Sequence, residues 1–159
     1  MDPLVSKNKI MKQDLIHNLI WFPIFLIGLI SVCLGIAWLL HPEPWMLDKT
    51  PNEALLQTTF DNLFSLEVNS FLPLYLKTIY RFFGLWMITI GLIIWSYVNV
   101  TRLGTSNSRN SLYYILSTTL FGLYFLVFSY LPTSPFIPVL YGLTILLVCS
   151  VYFSIQLKE

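Results

Sequence analysis

The feature that most constrains this chain is an uncharged run of nineteen residues at positions 82–100. Lys77 and Arg81 precede the run and Arg102 follows it. An α-helix needs about 20 mainly apolar residues to cross a hydrocarbon layer of about 30 Å. The run therefore predicts a membrane-spanning helix.

The composition agrees with a membrane location. Hydrophobic residues make up 56% of the 159 residues and charged residues 11%, against about 25% charged in soluble domains. A soluble domain of this length could not bury so much apolar surface, so we expect one membrane domain over residues 1–159. The formal net charge is +1, and no basic run lies outside the N-terminus, which argues against a nucleic-acid partner.

Apolar runs separated by prolines or short polar connections predict an all-α bundle of four spans. The spans are expected at about 18–40, 74–100, 112–131 and 136–155. The outer loop, residues 41–73, contains Thr50 and Pro51 followed by Glu53, a capping-box signature with proline at the first helical position. We therefore expect a short amphipathic helix over about 51–66 that lies along the membrane surface.

Lysine and arginine are distributed unequally between the two sides of the predicted bundle. The side with both termini holds Lys7, Lys9, Lys12, Arg102, Arg109 and Lys158, and the side with the long loop holds Lys49, Lys77 and Arg81. By the positive-inside rule, both termini are expected in the cytoplasm, for a bacterial inner membrane or an equivalent organellar membrane.

Each predicted span carries a glycine followed seven positions later by a small residue. The pairs are Gly28 and Gly35, Gly84 and Gly91, Gly122 and Ser129, and Gly142 and Cys149. Seven residues are two helical turns, so each pair lies on one face, where small residues let helices approach closely. This period predicts a left-handed bundle with crossing angles near 20°. The alternative is that these glycines shape a ligand cavity or mark a duplication.

One segment supports a family resemblance. A first helix ending at a proline, a surface loop, and then Arg81-Phe-Phe-Gly84 with Gly91-Leu92 resemble small four-helix bacterial membrane proteins of the DoxX-like and uncharacterised-domain kind. The resemblance covers about residues 20–100. It implies a four-helix bundle and carries no catalytic residue to this chain.

Residues suited to chemistry are few. His17 and His41 lie at opposite ends of the same predicted helix, about 36 Å apart at 1.5 Å per residue, which excludes a haem held between them. The sequence has no HExxH, paired-cysteine or GxSxG motif. His41, Glu43 and Asp48 could meet Asp61 in a metal site, but we favour a solvated loop and predict no metal or cofactor.

Lys77 and Arg81 lie one helical turn apart where the second span meets the loop side. Charge at this boundary needs a partner or access to water, and Asp61 or Glu67 of the loop could supply a partner. Alternatively, the two cations could hold a lipid phosphate or a quinone-like headgroup.

The predicted spans carry no acidic or basic side chain away from their edges, which argues against proton relays, voltage sensors and ion-coupled transporters. We therefore expect a non-enzymatic accessory, assembly or interaction subunit of a larger membrane complex. Its partners would be membrane lipids and other membrane protein subunits. The alternative is a lipid- or quinone-binding protein, or a headgroup enzyme, that uses the loop-side edge of the second span.

Overall fold

The computed structural model describes the backbone of residues 3–157 and the side chains of residues 13–157. This part of the chain is mainly helical, with short connections, and contains no strand. The α-helices are α1 (Pro3–Leu40), α2 (Lys49–Leu56), α3 (Phe60–Ser65), α4 (Leu72–Thr101), α5 (Ser106–Tyr130) and α6 (Ile137–Gln156), and two short 3-10 helices cover Pro44–Asp48 and Glu67–Asn69. Helices α1, α4, α5 and α6 are long and apolar enough to cross a membrane, which confirms the all-α prediction with four candidate spans.

Helix α5 begins six residues before the predicted start near 112. The Thr105 side chain accepts a hydrogen bond from the Ser108 N–H at 3.2 Å, and such a cap satisfies an amide that has no partner inside the helix. The polar residues after Thr105 therefore belong to a helix. The connection between α4 and α5 shrinks to residues 102–105.

The expected continuous helix over 51–66 is wrong. Gln57 has a left-handed backbone with φ of 54° and ends α2. Glu53, expected in a capping box with Thr50, instead accepts the Phe60 N–H at 2.9 Å, where α3 begins. Thr59 also caps α3 through the Asn62 N–H. Because these side chains satisfy the first free amides of a new helix, the segment divides into two short helices.

Helix α1 is the centre of the arrangement. It packs along α4 on one side and along α6 on another, and α5 packs against α6. Helices α4 and α5 are consecutive, yet they do not pack along their lengths in the described part of the chain. The four long helices therefore follow one another in space as α4, α1, α6 and α5, with an opening between the first and the last.

The contact between α1 and α4 is made by backbone. Gly28 faces Gly91, and Gly35 faces Gly84. A Cβ atom added to Gly35 would lie 2.5 Å from the Gly84 carbonyl oxygen, and one added to Gly91 would lie 2.5 Å from the Gly28 carbonyl oxygen. Both distances are shorter than any ordinary contact, so only glycine lets these two helices lie where they do.

The other two small-residue pairs make no such approach. A Cβ atom on Gly122 or Gly142 would meet no heavy atom within 4 Å. Ser129 is exposed, and Cys149 is partly buried. The seven-residue pairs thus bring helices into close contact on α1 and α4 and not on α5 and α6.

The bundle has two ends, named here for what they hold. The terminal end holds the residues near Gln13 and Leu157, and the loop end holds residues 41–71. The buried core lies toward the terminal end and comprises Ile20, Ile24, Ile27, Ile94, Val98, Leu103, Leu112, Tyr113, Leu116 and Leu147. The buried residues of α5 all lie within 109–116, so α5 leaves the core beyond its first three turns.

A buried polar network joins three helices at the terminal end. The Ser150 hydroxyl of α6 donates to the Ile20 carbonyl of α1 at 2.6 Å. Since the hydrogen of Ser150 is used in that bond, Tyr113 of α5 donates to the serine, with its hydroxyl 2.8 Å from the Ser150 Oγ. Pro23 lies inside α1 and removes the N–H that would reach the Leu19 carbonyl. That carbonyl lies one residue before the Ile20 carbonyl that Ser150 meets.

Candidate functional site

The opening between α4 and α5 is a cleft of about 530 Å³, backed by α1 and reached by Leu143 of α6. We call it the α4–α5 cleft. It is lined mainly by Phe83, Met87, Ile90, Ile94 and Tyr97 of α4, by Ser111, Ile115, Thr119 and Leu123 of α5, and by Ile27, Ser31 and Leu34 of α1. Its volume falls within the range of about 300–1,000 Å³ that is usual for ligand pockets.

The two faces of α4 differ in the size of their residues. Phe83, Met87, Ile90, Ile94 and Tyr97 recur at intervals of three and four residues, so they form one face of the helix. This face is bulky and lines the cleft, whereas the neighbouring face that meets α1 carries the glycines.

Three of the four polar side chains in the lining, those of Ser31, Tyr97 and Thr119, are hydrogen-bonded to backbone. Ser31 donates to the Met87 carbonyl at 2.8 Å, and Thr119 donates to the carbonyl of Ile115 at 2.9 Å. The lining contains no aspartate, glutamate, lysine, arginine, histidine or cysteine. General acid–base chemistry needs such groups within reach of a substrate, so this lining is suited to binding an apolar molecule.

The cleft is long. Phe83 and Tyr97 mark its ends on α4, and the fourteen-residue separation corresponds to about 21 Å of helix. An apolar cleft of this length suits a hydrocarbon chain from the surrounding layer.

The two ends of the cleft differ in polarity. At the loop end the lining residues are Leu34, Phe83 and Leu123, which are all apolar. At the terminal end they include Tyr97 and Ser111. The Tyr97 hydroxyl donates to the Ser108 carbonyl at 3.1 Å, so this end carries two hydroxyl groups beside the apolar side chains of Ile94 and Leu112.

The residues predicted as an ion-pair or headgroup site do not line the cleft. Arg81, Asp61 and Glu67 are exposed, and Lys77 is partly buried. Among residues 13–157, the one ion pair within 4.0 Å joins Lys49 and Glu53 at 3.8 Å. The structure thus does not bring either cation to either of the two predicted carboxylates.

Asp48, one of the residues that could have formed a metal site with His41, Glu43 and Asp61, is instead hydrogen-bonded to Ser134. It is buried, and its Oδ1 accepts a hydrogen bond from the Ser134 hydroxyl at 3.1 Å, which joins the long loop to the turn between α5 and α6. Burial raises the pKa of Asp48, and the hydrogen bond from Ser134 offsets part of that rise. No three histidine, cysteine, aspartate or glutamate residues of the described chain are grouped as metal ligands.

The cleft was not predicted from the sequence. The available signal was the bulky stripe on α4, from Phe83 to Tyr97, on the face beside the glycines. An apolar stripe on a membrane helix also fits contact with lipid or with another helix, so the stripe alone does not reveal a cleft. The missing information was that α5 leaves the core after Leu116.

No protein-family model, curated protein or solved structure matches this chain. The resemblance to DoxX-like proteins over residues 20–100 therefore stays a prediction. The function proposed below is based on the geometry of the α4–α5 cleft.

Proposed function

We propose that this chain is a non-enzymatic integral membrane protein that binds one hydrocarbon chain from the bilayer in the α4–α5 cleft. The observation that carries the proposal is the cleft itself, with its apolar lining and its volume of about 530 Å³. A gap of this kind left empty would deprive its lining of dispersion contacts on one side. Hydrocarbon from the surrounding layer supplies those contacts.

The proposed setting follows the charge distribution of the sequence. Both termini lie in the cytoplasm of a bacterial inner membrane, or on the equivalent side of an organellar membrane, because six of the nine lysine and arginine residues lie on that side. Helices α2 and α3 then lie along the opposite membrane surface. The glycine spacing of α1 and α4 supports a left-handed crossing of these two helices.

A substitution that fills the cleft tests the proposal. Ile90 lines the cleft and is 46% exposed, while Leu92 lies two residues further along α4, outside the lining, and is 47% exposed. The full chain is purified in mild detergent as wild type, Ile90→Trp and Leu92→Trp, and bound lipid is measured by mass spectrometry. We expect wild type and Leu92→Trp to retain about one chain-bearing molecule per protein and Ile90→Trp to lose most of it.

Equal lipid retention in the two tryptophan variants would contradict the proposal, as would a wild-type protein without bound lipid. Helical content measured by circular dichroism serves as the folding control. Since both variants add the same side chain to the same helix at equal exposure, a difference between them reports the cleft and not the substitution as such.

A second candidate function is that of an accessory or assembly subunit, and the position of α5 supports it. This helix packs substantially only against α6 in the described part of the chain. It presents large exposed aromatic side chains, among them Tyr114, Phe121 and Phe125, which suit contact with another membrane protein. Co-purification of a protein subunit at a fixed ratio, with no bound lipid, would favour this candidate.

A further inference from the structure

We infer that the molecule in the α4–α5 cleft carries an uncharged oxygen headgroup, and that this headgroup lies at the terminal end beside Tyr97 and Ser111. The inference rests on the proposed function and adds the chemical class and the direction of the ligand. The hydrocarbon chain then points toward Leu34, Phe83 and Leu123 at the loop end.

The direction follows from the difference between the two ends. The loop end offers carbon atoms alone, so a polar group placed there would lose its hydrogen bonds to water without replacement. At the terminal end, Ser111 is exposed, and its hydroxyl makes no hydrogen bond to another residue within 13–157. It is free to donate and to accept.

Tyr97 adds an acceptor at the same end. Its hydrogen is used in the bond to the Ser108 carbonyl, but its oxygen still has lone pairs. Tyr97 and Ser111 together therefore match a hydroxyl headgroup, which both donates and accepts.

The lack of charge in the lining argues for a neutral headgroup. No lysine or arginine lines the cleft. Of the two arginines near this end, the Arg102 guanidinium lies 5.5 Å from the centre of the Trp21 ring, and Arg109 is buried and donates to the Leu103 carbonyl at 3.1 Å. A phosphate placed among the lining residues would therefore have no positive side chain of the cleft as its partner, and an unpaired charge in apolar surroundings is costly.

A pair of probes with the same tail tests the headgroup. A radiolabelled long-chain alcohol and the alkyl phosphate of equal chain length are titrated against the full wild-type chain in detergent micelles. We expect the alcohol to bind at least about tenfold more tightly than the phosphate, because a buried charge without a partner costs more than a lost neutral hydrogen bond.

The position of the headgroup is tested by Ser111→Ala, with Ser117→Ala as its control, since Ser117 is exposed on α5 and lies outside the lining. Loss of one neutral hydrogen bond should weaken alcohol binding by about threefold to tenfold in Ser111→Ala. Alcohol binding by Ser117→Ala should match that of wild type.

The outcomes separate this inference from the proposed function. Equal or tighter binding of the phosphate would overturn the neutral headgroup, and an unchanged Ser111→Ala would overturn its position; in both cases a loss of binding in Ile90→Trp would leave the proposed function standing. If neither probe binds wild type more tightly than it binds Ile90→Trp, the proposed function fails together with this inference.

Discussion

Helix α4 presents two faces that behave in opposite ways. The face with Gly84 and Gly91 brings its backbone into contact with α1, where an added Cβ would lie 2.5–3.0 Å from a carbonyl oxygen of the opposing glycine. The face with Phe83, Ile90 and Tyr97 stands apart from α5 and leaves a cleft of about 530 Å³. Both faces repeat every seven residues.

The comparison shows that residue size, and not periodicity, decides whether two of these helices close on each other. Without a hydrophobic driving force between helices inside a bilayer, association depends on close van der Waals packing. Glycines on both partners allow that packing between α1 and α4. On α5, a Cβ atom added to Gly122 would meet no heavy atom within 4 Å. A glycine without a matched partner on another helix therefore makes no close helix contact.

The largest expected effect comes from disrupting the close face. In Gly35→Ala the new methyl group would lie 2.5 Å from the Gly84 carbonyl and 2.8 Å from the Ile88 amide nitrogen. Both are backbone atoms, so the helices must separate. We expect the free energy of unfolding in detergent to fall by about 3 kcal/mol, measured by denaturant titration.

Gly122→Ala is the matched control for that substitution. With open space around the added methyl group, the greater helix propensity of alanine should leave stability unchanged or raise it by less than about 1 kcal/mol. Equal destabilisation by Gly35→Ala and Gly122→Ala would contradict the close packing of α1 against α4 at Gly35.

The next largest effect concerns the hydrogen bonds of Ser150, which join α5 and α6 to α1. Ser150→Ala removes the donor to the Ile20 carbonyl and the partner of Tyr113, all at a fully buried position. Leaving such groups unsatisfied should cost about 2 kcal/mol of unfolding free energy. Thermal unfolding in detergent measures the loss, and Ser117→Ala, at an exposed position on α5, should unfold as wild type does.

The smallest effect concerns the loop end, where Asp48 joins the long loop to the turn between α5 and α6. Burial raises the pKa of Asp48 above its ordinary 3.8, so the folded state holds the proton more tightly than the unfolded state does. The stabilisation by protonated Asp48 is therefore complete below about pH 3.8 and is lost as the pH rises through the raised pKa.

Thermal unfolding across this pH range should show wild type losing stability relative to Asp48→Asn as the pH rises. Asp48→Asn has no ionisable group at position 48, so its thermal stability should change less between acid and neutral pH than that of wild type. Asp61→Asn is the control, because Asp61 is exposed and should leave the wild-type pH profile unchanged. If the pH profile of wild type matches that of Asp48→Asn, the raised pKa of Asp48 is contradicted.

Much of the helical layout could be predicted from sequence, because span length and composition are local properties. The predicted starts and ends of α4 and α6 agree with the structure to within two residues. Helix α1 begins at Pro3, fifteen residues before the predicted start at 18. The start of α5 and the single loop helix were also predicted wrongly, since Thr105, Gln57 and Glu53 act through backbone conformation and capping that composition does not reveal. For the candidate site, the sequence supplied the glycines and the bulky stripe without showing which partner each would meet.

The amino-acid sequence by itself determined that four apolar helices form and which positions along them are glycine, because a hydrocarbon layer imposes length and polarity on each helix separately. Only the tertiary structure decided that Gly28 meets Gly91, that Asp48 meets Ser134, and that α4 and α5 stay apart. Those outcomes depend on how side chains of different helices fit together, and this fit is a property of pairs of surfaces that no single stretch of sequence contains.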